Sequence, residues 1–420
     1  MEHVIASNIM DHLEQNKILY DLQHGFRTSR SCETQLISFI QELACNNNSN
    51  IQTDVIVMDF AKAFDKVPHK RLIYKLRYYG IDENTIKWIE DFLNHRTQTV
   101  LVDGECSEKI HVTSGVPQGT VLGPILFLVY INDFNDYIEH STLRLFADDS
   151  IIYRKIKNKD DAEKLQQDLI AAAKWEKDWL MSFHPDKCSV LQVTTKKTPI
   201  TYDYTLHQHK LQIETATKYL GITLQNDLKW NKHINNISAS ATKQLNFLKR
   251  NLKVTSQNIK DKAYRALVRP KLEYSSCVWD PHTKSKENQL EMVQRRAARY
   301  VCNRFHNTSS VTDMITDLNW PTLQQRRTRT RIIFFYKVIH HLVAIYPTNL
   351  LIPSDPRTRQ YTHDSSFRHI YTNKDSYKYS FYPRTIIQWN LLPATVVQCT
   401  TLDSFKEQVT IPVLQQHLHI

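Results

Sequence analysis

The sequence predicts an α+β fold: an antiparallel sheet laid down in split βαβ order through the first half, followed by a helical second half. Three observations predict it. Between residues 51 and 225 the apolar patterns run strand, helix, helix, hairpin, helix, strand. All seven glycines lie at or before Gly221, so the chain beyond has few residues suited to tight turns. Two adjacent acids, Asp148 and Asp149, interrupt the apolar run Leu143–Tyr153, which reads as two strands joined by a turn.

The elements follow in order. Val4, Ile5, Ile9, Leu13 and Leu19 make a roughly helical apolar stripe, and Thr34–Ala44 makes another. Residues 54–60 read as a strand ending in Asp59. Residues 71–79 read as a helix with Gly80 as its C-cap, and residues 85–93 as a second helix. Residues 98–113 alternate as a hairpin around Asp103-Gly104. A loop with Gly115, Gly119 and Gly123 launches an apolar helix over 120–132. After the 143–153 hairpin, residues 160–180 put Ala162, Leu165, Leu169, Ala172 and Trp175 on one helical face, and 189–194 reads as a strand. A boundary is expected near 222–230. Beyond it, Ile234, Ile237, Ala241, Leu245, Leu248 and Leu252 mark one helix; Leu290, Val293, Ala297 and Val301 mark another. Residues 354–383 are polar, tyrosine-rich and aperiodic, and read as a long loop. The expected division is 1–50, 51–225, 226–350 and a linker with C-terminal tail over 351–420.

Composition narrows the function. A hydrophobic fraction of 41% supports a packed core, and no apolar run approaches the ~20 residues of a membrane span. The longest, around Val121–Ile131, reads as a buried segment. No secretory leader pattern opens the chain. The seven cysteines form no CxxC pair, which argues against structural zinc and for buried thiols in a reducing compartment. The formal net charge is +11, and residues 241–340 hold 20 Lys and Arg against 7 Asp and Glu, the whole of the excess. Such a concentration favours a polyanionic partner over a merely solvated face.

The acids suggest the chemistry. A lone Asp-Asp pair is most often a solvated turn. Here a second apolar strand also ends in an acid, Asp59. Asp59, Asp148 and Asp149 converging from neighbouring strands could hold two Mg²⁺ ions about 3.5–4 Å apart, the arrangement for in-line phosphoryl displacement.

Asp59-Phe60-Ala61-Lys62-Ala63-Phe64-Asp65, Ser114-Gly115-Val116-Pro117-Gln118-Gly119-Thr120 and Phe146-Ala147-Asp148-Asp149 occur in this order and resemble three successive motifs of reverse transcriptases. The closest resemblance is to the non-LTR retrotransposon (LINE-type, Jockey/CR1-like) branch. Gln23-His24-Gly25-Phe26-Arg27, Phe183-His184-Pro185-Asp186-Lys187-Cys188 and Tyr219-Leu220-Gly221-Ile222 extend it over roughly residues 15–225, with Trp389-Asn390-Leu391-Leu392-Pro393 continuing it more diffusely. The resemblance implies a right-hand polymerase palm over 51–225, partial fingers before it and a helical thumb-like region after it. It implies RNA-directed DNA polymerisation with RNA template, DNA primer, dNTPs and two Mg²⁺ ions, or Mn²⁺ in their place.

It also implies residue roles. Asp59, Asp148, Asp149 and the Phe60 carbonyl would ligate the metals. Phe64 would sit under the sugar and exclude a 2′-hydroxyl, although without the family it reads equally well as a core aromatic. Gln118 and Gly119 would line the templating base and nucleotide. Lys187 would protonate the departing pyrophosphate; His184 stands where the family has Asn, so either could donate. Tyr219 and Gly221 would belong to the primer grip, and Arg27 and Arg30 would reach template phosphates. Arg295, Arg296 and Arg299, with Arg304, flank the apolar stripe of a basic helix and would contact phosphates too.

The family's earlier finger motifs and an endonuclease would lie upstream of Met1, so the chain is expected to be cut from a longer frame. No ribonuclease H region or Cys/His knuckle is evident. A nucleus or cytoplasm location is expected. The rival expectation is a catalytically inactive, nucleic-acid-binding remnant. A group II intron-type enzyme fits less well.

Overall fold

The structure, a computed structural model, describes residues 1–347, 349–355 and 363–418. Its centre in the first half is strand β1 (Gln52–Met58), whose run Val55-Ile56-Val57-Met58 is nearly continuous in apolar residues. That run suits a strand covered on both faces, and Val55, Ile56 and Met58 are buried. β2 (Thr142–Phe146) and β3 (Asp149–Ile156) form a hairpin; β3 pairs antiparallel with β1, setting Met58 opposite Ser150 and Gln52 opposite Ile156. β4 (Ser189–Val193) pairs antiparallel on the other side of β1. The order across the sheet is β5-β4-β1-β3-β2, where β5 is Gln212–Glu214. The expectation of a wholly antiparallel sheet needs one correction: β5 runs parallel to β4 at the edge. The long connection between them lets the chain re-enter in the same direction.

Helices cover this sheet. Glu2–Gln15, His69–Tyr78, Glu83–Leu93, Leu122–Ile131 and Lys159–Trp179 supply its partners. Leu122–Ile131 is apolar on every side and nearly every residue is buried, as an all-round apolar helix requires. Lys159–Trp179 buries Ala162, Leu165, Leu169, Ala172 and Trp175, the face anticipated from its spacing. The stripe anticipated at the N-terminus is narrower: Val4 is exposed and Leu19 lies beyond the helix end. Gly80 follows the C-cap Tyr79 in the left-handed conformation. Around Asp103-Gly104 the short strands Leu101–Val102 and Glu105–Cys106 pair, and Thr97–Gln98 pairs with Ile110–His111 below them.

By contact density the chain forms two units, residues 1–35 with 51–219 and residues 36–50 with 220–420. The expected grouping of 1–50 as one segment therefore divides at Leu36. In the second unit the helices Asn231–Asn251 and Lys284–Cys302 pack together, and Tyr300 Oη donates to the Leu252 carbonyl at 3.0 Å. Leu323–Ile339 packs against Phe381–Asn390 through Phe334, Phe335, Phe381 and Trp389. Residues 36–50 join this unit through Gln41 Nε2 to Tyr377 Oη, 3.1 Å, and Asn48 Oδ1 to the Asn373 amide, 2.6 Å.

The expected linker and tail over 351–420 is corrected in its described part. Helices Phe381–Asn390, Leu402–Gln408 and Ile411–Leu418 bury Trp389, Phe405 and Leu414, and Leu392 is buried just after the first of them. The loop expected over 354–383 holds a short helix, Asp375–Lys378; its residues 356–362 lie outside the described residues. Without glycine, this half turns on Ser275, Asn303, Asn319 and His341, all left-handed. Asn and His tolerate that region better than most side chains.

Candidate active site

The register of the sheet decides which acids meet. Met58 faces Ser150, so continuing the antiparallel pairing by one step sets Asp59 beside Asp149. Facing residues in such a ladder have Cα atoms about 4.5–5.5 Å apart. Asp148 occupies the two-residue turn between β2 and β3, after Ala147, whose φ is +53°. All three predicted acids therefore gather at one end of β1 and β3.

Their electrostatics record the crowding. Burial, then the Asp148 and Asp59 charges, push the Asp149 carboxyl up to about 6. Burial and then Asp59 raise Asp148 as well. Asp59 Oδ2 is covered, and its partner among the described residues is the Lys187 ammonium, 3.1 Å away as an ion pair. Asp54, near the other end of β1, is the contrast. Unlike Asp59 it is fully buried, and Gln52, Gln192 and Tyr204 all donate to its carboxylate. A buried carboxylate satisfied by three neutral donors is structural, whereas Asp59 meets only the ammonium of an exposed lysine among the described residues. Among the described residues no three acidic, His or Cys side chains stand in ready metal-ligand geometry. The donor set nevertheless fits a hard divalent cation: three mutually repelling carboxylates, with burial and like charge raising two of them.

The segment after Lys159–Trp179 returns to close this end. The Asp59 carbonyl accepts from the His184 amide at 2.8 Å, and Ala61 donates to the Ser182 carbonyl at 2.7 Å. A short 3₁₀ turn, Pro185–Lys187, then aims Lys187 at Asp59. His184 instead has a buried Nδ1 without a partner among the described residues. Of the two candidate donors, the structure sets Lys187 beside the acids. Phe60 is buried, its ring stacked on Phe183 at 4.4 Å, so only its backbone is left for a ligand role.

The glycine loop is docked on the segment that follows Asp59. Gly115 donates to the Val67 carbonyl and Val116 to the Phe64 carbonyl, each at 2.8 Å. Gly115 has φ +93°, and a Cβ there would stand 2.7 Å from the Asp65 carbonyl oxygen, so the close approach requires glycine. Gln118 Nε2 donates to Asp65 Oδ1 at 3.0 Å, so Asp65 orients the Gln118 side chain. Phe64 is half-buried and stacked on Phe127, centroids 4.5 Å apart. Gly119 is open: nothing lies within 4 Å of where a Cβ would stand. Beside this loop lies a cavity of about 530 Å³, lined by Lys62, Asp65, Arg96, His111, Ser114 and Gln118.

Other expected contacts do not survive. Arg27 is buried and forks onto Glu14, its Nε and Nη2 2.7 and 2.6 Å from the two carboxylate oxygens, so it cannot reach a template phosphate. Arg30 folds onto the Asp21 backbone carbonyl and is nearly covered. Tyr219 is buried with its hydroxyl 3.1 Å from Gln35 Nε2, so any contact with a primer falls to the backbone. Gly221, at φ +80°, lies under Tyr274, whose ring would meet a Cβ at 2.9 Å.

The basic stretch is also smaller than its composition. Arg327 Nε and Arg331 Nη1 donate to Asp280, and Arg384 Nη1 lies 3.2 Å from it. Arg326 forks onto Glu273, and Arg329 donates to the Val409 and Lys406 carbonyls. Arg295 and Arg296 remain exposed, without a hydrogen bond or ion pair among the described residues; Arg299 is partly covered and donates to the His306 carbonyl at 3.2 Å. Arg304 pairs with Asp317.

Residues 1–224 match the family model described as "Reverse transcriptase (RNA-dependent DNA polymerase)". The chain is 28% identical over 347 residues to "Probable RNA-directed DNA polymerase from transposon BS" of Drosophila melanogaster, covering 78% of this chain and 37% of that protein. It is 27% identical over 378 residues to "RNA-directed DNA polymerase from mobile element jockey" of the same organism, covering 86% and 40%. It thus spans about two fifths of the length of these relatives. Apo telomerase from Candida Tropicalis aligns over 97% of this chain and 60% of its own at 10% identity and TM-score 0.42, too low a likeness to bear on the fold.

Proposed function

Because the chain belongs to the reverse transcriptase (RNA-dependent DNA polymerase) family, we propose that it performs RNA-directed DNA synthesis, joining dNTPs to a primer 3′-hydroxyl along an RNA template. Residues 51–225 would act as the palm, the helices beyond as thumb, and the source would be a LINE-type retrotransposon. The observation that carries the reading is the gathering of Asp59, Asp148 and Asp149 at one sheet end, with the Lys187 ammonium 3.1 Å from Asp59 Oδ2.

These three carboxylates and the Phe60 carbonyl would hold divalent cations, two Mg²⁺ ions or Mn²⁺ in their place. Bound there, the cations would supply Lewis-acid stabilisation of the attacking hydroxyl and the leaving pyrophosphate. The rest falls to the chain itself. Lys187, already paired with Asp59, would give its proton to the departing pyrophosphate, exchanging a carboxylate partner for a phosphate one. Phe64, fixed by Phe127, would present a wall to the sugar and select dNTPs over NTPs. Gln118, held by Asp65, and the open Gly119 would line the nucleotide and templating base. Arg295, Arg296 and Arg299 would take backbone phosphates.

A primer-extension assay on an RNA template tests this. Asp148→Ala should reduce incorporation to background while retaining primer–template binding. Full polymerisation by that variant removes the reading. Binding by the unsubstituted chain without incorporation supports the alternative, an inactive nucleic-acid-binding remnant.

A further inference from the structure

We propose that Gln23 is a positioning residue for the aspartate turn: its side-chain carbonyl fixes where Asp148 stands, and so how tightly the three acids hold a divalent cation. The proposal rests on the polymerase reading of those acids and adds a residue to it.

The turn has an intrinsic weakness. Ala147 is left-handed at φ +53°, a conformation that an L-residue adopts only when its surroundings enforce it. Its amide, at the tip of a two-residue turn, has no ladder partner across the hairpin. Gln23 supplies both the enforcement and the partner. Gln23 Oε1 accepts from the Ala147 amide at 2.9 Å and from the Gly25 amide at 2.8 Å. Its own backbone is anchored beside β2: Gln23 bridges Leu145, the His24 amide donates to the Leu145 carbonyl at 2.9 Å, and the Leu145 amide donates to the Leu22 carbonyl at 3.0 Å. Gly25 closes the clamp. A Cβ at residue 25 would stand 2.4 Å from the Ala147 nitrogen and 3.0 Å from the Phe146 carbonyl carbon. Residues 22–25 thus hold the residue immediately before Asp148 from two sides.

A packing role is the competing explanation, and the other end of the side chain separates the two. Gln23 is 2% exposed, and its Nε2 has no hydrogen-bond partner among the described residues. If filling space were its task, an apolar side chain of the same length would serve better, because it would leave no buried amide bare. The unsatisfied Nε2 is tolerated for the sake of the two bonds made by Oε1.

The test uses the 420-residue chain, with Mn²⁺ as the probe, titrated by electron paramagnetic resonance without nucleic acid, beside steady-state primer extension and thermal unfolding. Gln23→Met keeps length and volume and removes the acceptor. It should weaken Mn²⁺ binding and lower kcat, each by about 10–100-fold, the range for losing a group that orients a metal ligand. KM for dNTP and primer–template affinity should stay within about threefold, the substrate surfaces being untouched. Gly25→Ala displaces the same turn by crowding and should give the same signature. Wild-type Mn²⁺ binding and kcat in a folded Gln23→Met overturn the proposal, and so does loss of the folded state in that variant, which would assign Gln23 a plain structural role. Asp148→Ala, assayed alongside, keeps the two readings apart. Full extension by that variant removes the polymerase reading, whereas unaltered Mn²⁺ binding by Gln23→Met removes only the role of Gln23.

Discussion

Replacing Arg295 and Arg296 together by Gln should change how primer–template binding depends on salt. The side chains lie on the exposed face of helix Lys284–Cys302 and make no ion pair among the described residues, so their charge is available to a polyanion. Each phosphate neutralised contributes about 0.9 to the slope of log affinity against log salt on a duplex. Two lost contacts should flatten that slope by about 1.8. Between 50 and 200 mM salt the unsubstituted chain should therefore lose about 12-fold more affinity than the variant. Arg329→Gln is the control. Its guanidinium is committed to the Val409 and Lys406 carbonyls at 2.7 Å, so its loss should leave the slope unchanged. Fluorescence anisotropy of a labelled RNA–DNA primer–template across a salt series measures all three proteins. An unchanged slope for the double variant, or a flattened one for Arg329→Gln, would refute the distinction between free and committed arginines.

Further outcomes follow from the same geometry. Asp280→Ala strands Arg327, Arg331 and Arg384 in the second unit without their shared carboxylate, and should cost about 3–5 kcal/mol in guanidinium chloride unfolding, the range for breaking a buried ion pair; a loss below about 1 kcal/mol would contradict it. Asp149, raised to about 6, must lose its proton to bind a cation, so the metal concentration giving half-maximal extension should climb as pH falls through 6; a flat dependence from pH 7 to 5 would count against the site. Because that folded-state pKa exceeds the unfolded value, charging Asp149 removes stability as pH rises from near 4 through 6, and added divalent cation should raise Tm more at pH 7 than at pH 5. Lys187→Met should lower kcat in primer extension by about 10²-fold or more; an unchanged kcat would return the proton-donor role to another group.

The elements around the acids were legible because their signals are local. β1 and the β2–β3 hairpin announce themselves by apolar runs, the Asp103-Gly104 turn by its dipeptide, and Leu122–Ile131 by an apolar sequence that allows no exposed face. The acidic residues were legible for the same reason: carboxylates placed at strand ends are conspicuous against apolar neighbours. What was illegible depends on partners far along the chain. Arg27 looks like any surface arginine until Glu14 is found beside it. Arg327 and Arg331 count toward a basic patch until Asp280 meets them, 47 and 51 residues away. Tyr219 belongs to a short motif that says nothing of Gln35. The tail over 351–420 was underestimated because its apolar residues are spaced across several short helices, none long enough to show a period alone.

The order of motifs and the spacing of apolar residues marked, on their own, the central strands, the helices that cover them and the family to which the chain belongs, but not the parallel edge strand β5. Periodicity and turn chemistry act within a few residues, so one dimension suffices to read them. Tertiary structure alone decided which charges are spent and which are free, and which groups hold the aspartate turn in place. An ion pair or a side-chain hydrogen bond is a fact about distance in space, and neither Arg27 with Glu14 nor Gln23 with Ala147 leaves a mark of that distance in the sequence.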